Sequence, residues 1–198
     1  MPRLGSRMAA GWFPMSGSVS SVLIVLVPVY GATFLLVSWH ASPGGLAWLA
    51  PVLAVPLIWL SVTDLRRFEI PDTAIISIAL CGALFQWVAR PASLGSEIAL
   101  ALGLAAVLWV GGDLAFRCMG REALGIGDAK LIGAGTLCTG FAAIWWALLI
   151  ACVGGIAAAL AARRGSGNTT HLGIPFGPFL AYAIYMVFLL QLPGMPWH

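Results

Sequence analysis

Asp128 lies in the run Leu124-Gly125-Ile126-Gly127-Asp128-Ala129-Lys130-Leu131, between two glycines and the start of a long apolar stretch. Asp64 closes another apolar stretch, Trp48 to Val62. A charged side chain at the centre of a bilayer costs roughly 2.5–3.5 kcal/mol on insertion scales, so acids placed this way are functional candidates by default. Two predicted membrane crossings separate the two acids, and an even number of crossings returns the chain to the same side. The pair can therefore meet at one membrane face. Two carboxylates held close cannot both ionise cheaply, so they share a proton, and one serves as acid and the other as base toward a single water. That is the chemistry of peptide hydrolysis without a covalent intermediate. Asp128 opens a helix and Asp64 closes one, so the helix dipoles assign the shared proton to Asp64.

Alone, each acid reads as a solvated helix end beside arginine; the surroundings argue otherwise. Gly125 and Gly127 flank Asp128 and permit close approach of a backbone or a neighbouring helix. Beyond it, Ala129, Gly133, Thr136 and Gly140 recur at helical spacing on one face, a small-residue stripe that packs a helix tightly against others. Asp128 is therefore expected on a helix inside a bundle. Ser61, one turn before Asp64, is expected to serve helix packing.

The elements that must carry these acids are membrane helices. With 61% hydrophobic and 9% charged residues and a mean hydropathy of +0.98, the chain lies far outside the composition of soluble domains. At about 20 residues per crossing, 198 residues form an all-α polytopic membrane helix bundle of about seven transmembrane helices. The expected organisation is a single integral membrane domain over 1–198, with an N-terminal segment and first helix in 1–44 and a helical core in 45–192, surrounded by lipid. The ten basic residues are dispersed, with no stripe for nucleic acid. Cys81, Cys118, Cys138 and Cys152 stand singly, and His40, His171 and His198 have no second ligand at metal spacing, so neither a metal nor another cofactor is expected.

Apolar runs predict helices over Val19–Trp39, from Trp48 to Asp64, over Thr73–Ala89, over Glu97–Arg117, and from about Pro175 to Leu192. The segment Ala129–Ala162 is too long for one crossing, and charge decides how it divides. Two short helices turning near Thr139-Gly140 put Arg3, Arg7, Arg66, Arg67, Arg117, Arg121, Lys130, Arg163 and Arg164 on one side and leave only Arg90 on the other. By the positive-inside rule that side is cytoplasmic, together with the N-terminus, Asp64 and Asp128. Trp39, Trp48, Trp87, Trp145, Trp146 and Trp197 all fall near the opposite ends, as an interfacial belt would. Asp72, just before the third helix, reads as an N-cap. Asp113 and Arg117, spaced i, i+4, read as a pair, and Lys130 alone reads as an interfacial anchor.

Asp64 followed by Ile70-Pro71-Asp72, then Gly125-Ile126-Gly127-Asp128-Ala129-Lys130-Leu131, then Gly173-Ile174-Pro175-Phe176-Gly177-Pro178-Phe179-Leu180 resembles the type IV prepilin peptidase family over roughly residues 45–192. The resemblance implies a GxGD-type membrane aspartyl protease of the bacterial inner membrane. Such enzymes remove the short basic leader of type IV pilin-like precursors at the cytoplasmic face, usually after a glycine and before the precursor's hydrophobic helix. Asp64 and Asp128 match the family's catalytic aspartates. Gly125, Gly127, Lys130, Pro71, Asp72, Pro175, Gly177 and Pro178 match the motif positions around them, as substrate-binding or motif support. Larger members carry, between the first two helices of this layout, an insert with paired C-x-x-C motifs linked to N-methylation. The corresponding connection here, His40 to Leu46, has no cysteine. The chain is thus similar to the short peptidases of tight-adherence (Flp) pili, and N-methyltransferase activity is expected to be absent.

Two other readings stay open at this level. One is a GxGD protease of the presenilin or signal-peptide-peptidase kind, against which the Pro-Phe-Gly-Pro motif and short chain weigh. The other is a transporter or membrane assembly subunit, which would be expected to show internal repeats and broken helices meeting at the midplane.

Overall fold

The computed structural model describes residues 19–40, 46–119, 125–165 and 175–192. Among these, seven α-helices follow one another: α1 (Val19–His40), α2 (Leu49–Arg67), α3 (Asp72–Ala89), α4 (Leu94–Met119), α5 (Ile126–Thr139), α6 (Ile144–Gly165) and α7 (Gly177–Leu190), with a 3-10 turn, Pro91–Ser93, leading into α4. The sequence signals at Arg3, Arg7, Arg121, His171, Gly173, Ile174, Trp197 and His198 lie outside the described residues.

Five helices are long and apolar enough to cross a membrane: α1, α2, α3, α4 and α6. Their outer faces carry large apolar side chains such as Val25, Leu35, Leu80, Leu102, Val107 and Leu160, which in water would be a severe liability and which a lipid surround makes ordinary. The molecule is an all-α membrane bundle. Leu49, Leu53, Leu57 and Leu60 line the inner face of α2, Ile78 and Phe85 that of α3, and Leu180, Ile184, Tyr185 and Phe188 that of α7, in one contiguous core.

α5 and α7 have 14 residues each. At 1.5 Å per residue each rises about 21 Å, well short of a hydrocarbon core of about 30 Å. They sit at the centre: α5 packs mainly against α3 and α4 and also touches α7, while α7 packs mainly against α2 and α6. Small residues make this possible. A methyl at Gly82 of α3 would come within 2.6 Å of the Cys138 backbone nitrogen, and one at Gly133 within 2.8 Å of Ala105 on α4. The small-residue stripe on α5 is therefore a packing surface, as its periodicity predicts. A short central helix flanked by longer ones leaves its end recessed, and a recess at the end of a bundle is a cleft.

The turn predicted near Thr139-Gly140 is present. α5 stops at Thr139, and Gly140 adopts φ +79°, a conformation that glycine takes without the Cβ penalty. Phe141 N–H then donates to Glu97 Oε2 at 2.9 Å, tying this turn to the start of α4. Trp39, Trp48, Trp87, Trp145 and Trp146 gather at this same end and are exposed.

Candidate active site

α2 runs one turn beyond the predicted stop at Asp64, to Arg67, and closes on Phe68 in the left-handed region (φ 52°), whose N–H donates to the Asp64 carbonyl at 2.9 Å. Only a local constraint keeps a bulky side chain in that region, where it costs roughly 1–2 kcal/mol. The turn throws the Phe68-Glu69-Ile70 segment back across the bundle end. The Asp64 side chain is buried, 6% exposed, and its Oδ2 accepts the backbone N–H of Gly177, the first residue of α7, at 3.0 Å.

Asp128 is the third residue of α5, partly buried, behind Gly125 in an extended cap conformation. The two glycines of the G-x-G-D run do different things. A Cβ at 125 would lie 3.3 Å from Asp128 Oδ2, so Gly125 makes room for the acid's own carboxylate. A Cβ at 127 would lie 3.0 Å from the Cβ of Ile70, so Gly127 lets the α2–α3 connection rest on the start of α5.

Asp64 and Asp128 line the same cleft, of about 780 Å³, close enough for their charges to act on one another. Its floor is Gly125, Ile126 and Gly127; Phe68, Glu69, Ile70 and Asp72 form one wall; Trp109, Gly112, Asp113 and Phe116 of α4 form another; Pro175 and Phe176 close it. Five carboxylates and one lysine face this space. Two of the carboxylates are already matched: Asp113 pairs with Arg117 at 2.8 Å, as their i, i+4 spacing predicts, and Asp72 with the lysine, Lys130, at 2.7 Å. Among the described residues no group of three His, Cys, Asp or Glu side chains could hold a metal ion.

Three expectations are corrected. Asp72 is not the cap of α3: the cap position is Pro71, without a side-chain cap bond, and Asp72 instead pairs with Lys130 at 2.7 Å. Lys130 is correspondingly a strut between α3 and α5 at the cleft rim rather than a free anchor. The dipole contrast between the two acids is also incomplete, because Asp64 lies in the last turn of α2 but meets the N-terminal end of α7 through Gly177. Ser61 does serve packing, donating to the Leu57 carbonyl at 2.8 Å. Of the other motif positions, Pro175 faces the cleft, whereas Pro71, Gly177 and Pro178 do not line it.

The sequence of α4 carries a periodic signal for this wall. Trp109, Gly112, Asp113 and Phe116 are spaced i, i+3, i+4, i+7, which places them on one face, and that face is the cleft wall. Glu69 carried no such signal, since its position depends on the turn at Phe68.

A family model for the type IV leader peptidase family matches residues 51–160. The chain belongs to this family. The match spans α2 to α5 and most of α6, and so takes in both aspartates. Among curated proteins, the chain is similar to a prepilin leader peptidase/N-methyltransferase from Dickeya chrysanthemi, 31% identical over 184 residues, covering 90% of this chain and 63% of that one. It is similar to one from Pectobacterium carotovorum subsp. carotovorum, 31% identical over 139 residues, covering 70% of this chain and 50% of that one. One from Xanthomonas campestris pv. campestris is 28% identical over 194 residues, covering 95% and 66%. The chain thus spans between half and two-thirds of the length of these leader peptidases. No solved structure matches.

Proposed function

We propose that this leader peptidase family member is an aspartic endopeptidase that cuts the leader from type IV pilin-like precursors, with Asp64 and Asp128 acting as a dyad on one water. The observation that carries the reading is that the two acids, from different helices, line a single cleft at one end of the bundle. One carboxyl accepts a proton from the water as it attacks the scissile carbonyl, while the other donates to the developing oxyanion; the proton then passes to the leaving amine. The acidic lining suits a short basic leader, and the aromatic wall of α4 suits the apolar residues that follow the cut. No cofactor takes part in this scheme.

In this reading the cleft opens on the cytoplasmic side of the bacterial inner membrane. Arg66, Arg67, Arg117 and Lys130 are at the cleft end and Arg90 is at the other, which supports it. Residues 45–192 form the peptidase core. The relatives carry both names, peptidase and N-methyltransferase; we assign this chain cleavage alone, because its four cysteines stand singly and those in α3 to α6 are free.

The test is co-expression with a pilin-like precursor. The wild-type chain should yield a shortened product whose new N-terminus follows the leader, and Asp64→Ala and Asp128→Ala should each leave the precursor intact. Cleavage that survives either substitution contradicts the dyad. Mass spectrometry of the product should find an unmethylated N-terminus.

A further inference from the structure

We infer that the first turn of α7 is the positioning element for Asp64 and that Gly177 is the residue through which it acts; the inference rests on the proposed dyad. The N–H groups of a helix's first turn have no partners within the helix and must find them elsewhere. At the start of α7 they can be accounted for one by one. Phe179 and Leu180 both donate to the Phe176 carbonyl at 3.1 Å. Pro178 has no N–H to place. Phe176, at the cap position, makes no side-chain cap bond. The remaining donor is Gly177 N–H, and it goes to Asp64 Oδ2 at 3.0 Å.

The Asp64 carboxylate therefore does the work of a capping group for α7, supplied from α2 rather than from the chain just before the helix. The residue type at 177 follows from this. A Cβ there would stand 2.6 Å from Asp64 Oδ2 and 3.0 Å from its Cγ, closer than a carbon tolerates, so any side chain at 177 displaces the carboxylate. The proline at 178 removes a competing donor and presets the helical φ. Asp128, by contrast, makes no hydrogen bond among the described residues. One acid is pinned by α7, and among the described residues the other has no such bond. This gives Gly177, within the Pro-Phe-Gly-Pro stretch, a role at the dyad itself.

Two measurements on the full-length chain test this. In kinetics, Gly177→Ala should lower kcat on the order of 10²-fold, the loss expected for a roughly 1 Å misplacement of a reacting group, with KM held near the wild-type value. A purely structural role would instead reduce the fraction of active enzyme and leave the kcat of that fraction unchanged. In thermal unfolding, the wild type, Gly177→Ala, Asp64→Ala and the double variant form a cycle. Gly177→Ala should lower Tm when Asp64 is present and have little effect when Asp64 is alanine, because the group that the new methyl strikes is gone. Should Gly177→Ala not accumulate in folded form, its recovery in the Asp64→Ala background reads the same coupling. Equal Tm shifts in both backgrounds overturn the contact, and coupling without a fall in kcat overturns the positioning role. A wild-type chain that cuts no precursor overturns the dyad reading instead, and the cycle then still decides the contact.

Discussion

The two acids are held differently although they share a cleft. Asp64 is buried and bound to a backbone donor; Asp128 rides on the first turn of a recessed helix, with Gly125 leaving space for its carboxylate. If the two divide acid and base work, Asp64→Asn and Asp128→Asn should each cost at least the roughly 10²–10⁴-fold typical of losing one such group, while the chain still inserts and folds. Gly125→Ala should fall between, because its Cβ would touch Asp128 Oδ2 at 3.3 Å and the side chain can shift a little. The Asp72–Lys130 pair is half exposed, so it is worth no more than about 1 kcal/mol. Lys130→Ala and Asp72→Ala should each lower Tm slightly, and the double variant no further than either alone. The acids were legible in the sequence because a charge beside a long apolar run is conspicuous. The Asp72–Lys130 partnership was not, because its members are separated by 58 positions and meet only through the packing of α3 on α5.

Among the elements, α5 carries the architecture. Its length was recoverable from charge bookkeeping, and its burial from the recurrence of Ala129, Gly133, Thr136 and Gly140. What could not be read was which neighbour each glycine admits, since periodicity gives a face and not a partner. The contrast is testable. Gly82→Ala drives a methyl against the backbone at Cys138 and should cost about 1–3 kcal/mol, the usual range for overpacking. Gly111→Ala on α4 meets nothing within 4 Å and should leave stability unchanged or raise it by up to about 1 kcal/mol, the helix preference of alanine over glycine. Thermal unfolding in one detergent compares the two directly. Helix ends are less legible in the sequence. α2 continues to Arg67 because Phe68 takes the left-handed conformation that closes it, and α7 starts at Gly177 rather than Pro175 because Asp64 supplies its cap. Both ends are set by contacts or backbone states that no local propensity encodes.

For the whole molecule, a membrane bundle was evident from composition, because a bilayer admits few solutions and each demands a long apolar helix. Burial inside that bundle was harder to read, as lipid-facing and protein-facing residues are equally apolar. Trp109 and Phe116 of α4 therefore do not stand out in the sequence from lipid-facing neighbours. The proposed orientation predicts that a single cysteine introduced at Phe68 is labelled by an impermeant thiol reagent only from the cytoplasmic side, and one at Ser93 only from the opposite side; the reverse pattern would place the cleft outside. The proposed dyad has Asp64 and Asp128 working as one unit. It is tested most directly by single-turnover cleavage of a pilin-like precursor by the purified chain, comparing the wild type, each Asp→Asn variant and the double variant. Groups that act together are strongly non-additive, so both single variants and the double should fall to one common floor. Either single variant retaining near-wild-type turnover, or two partial losses that multiply in the double variant, would contradict it.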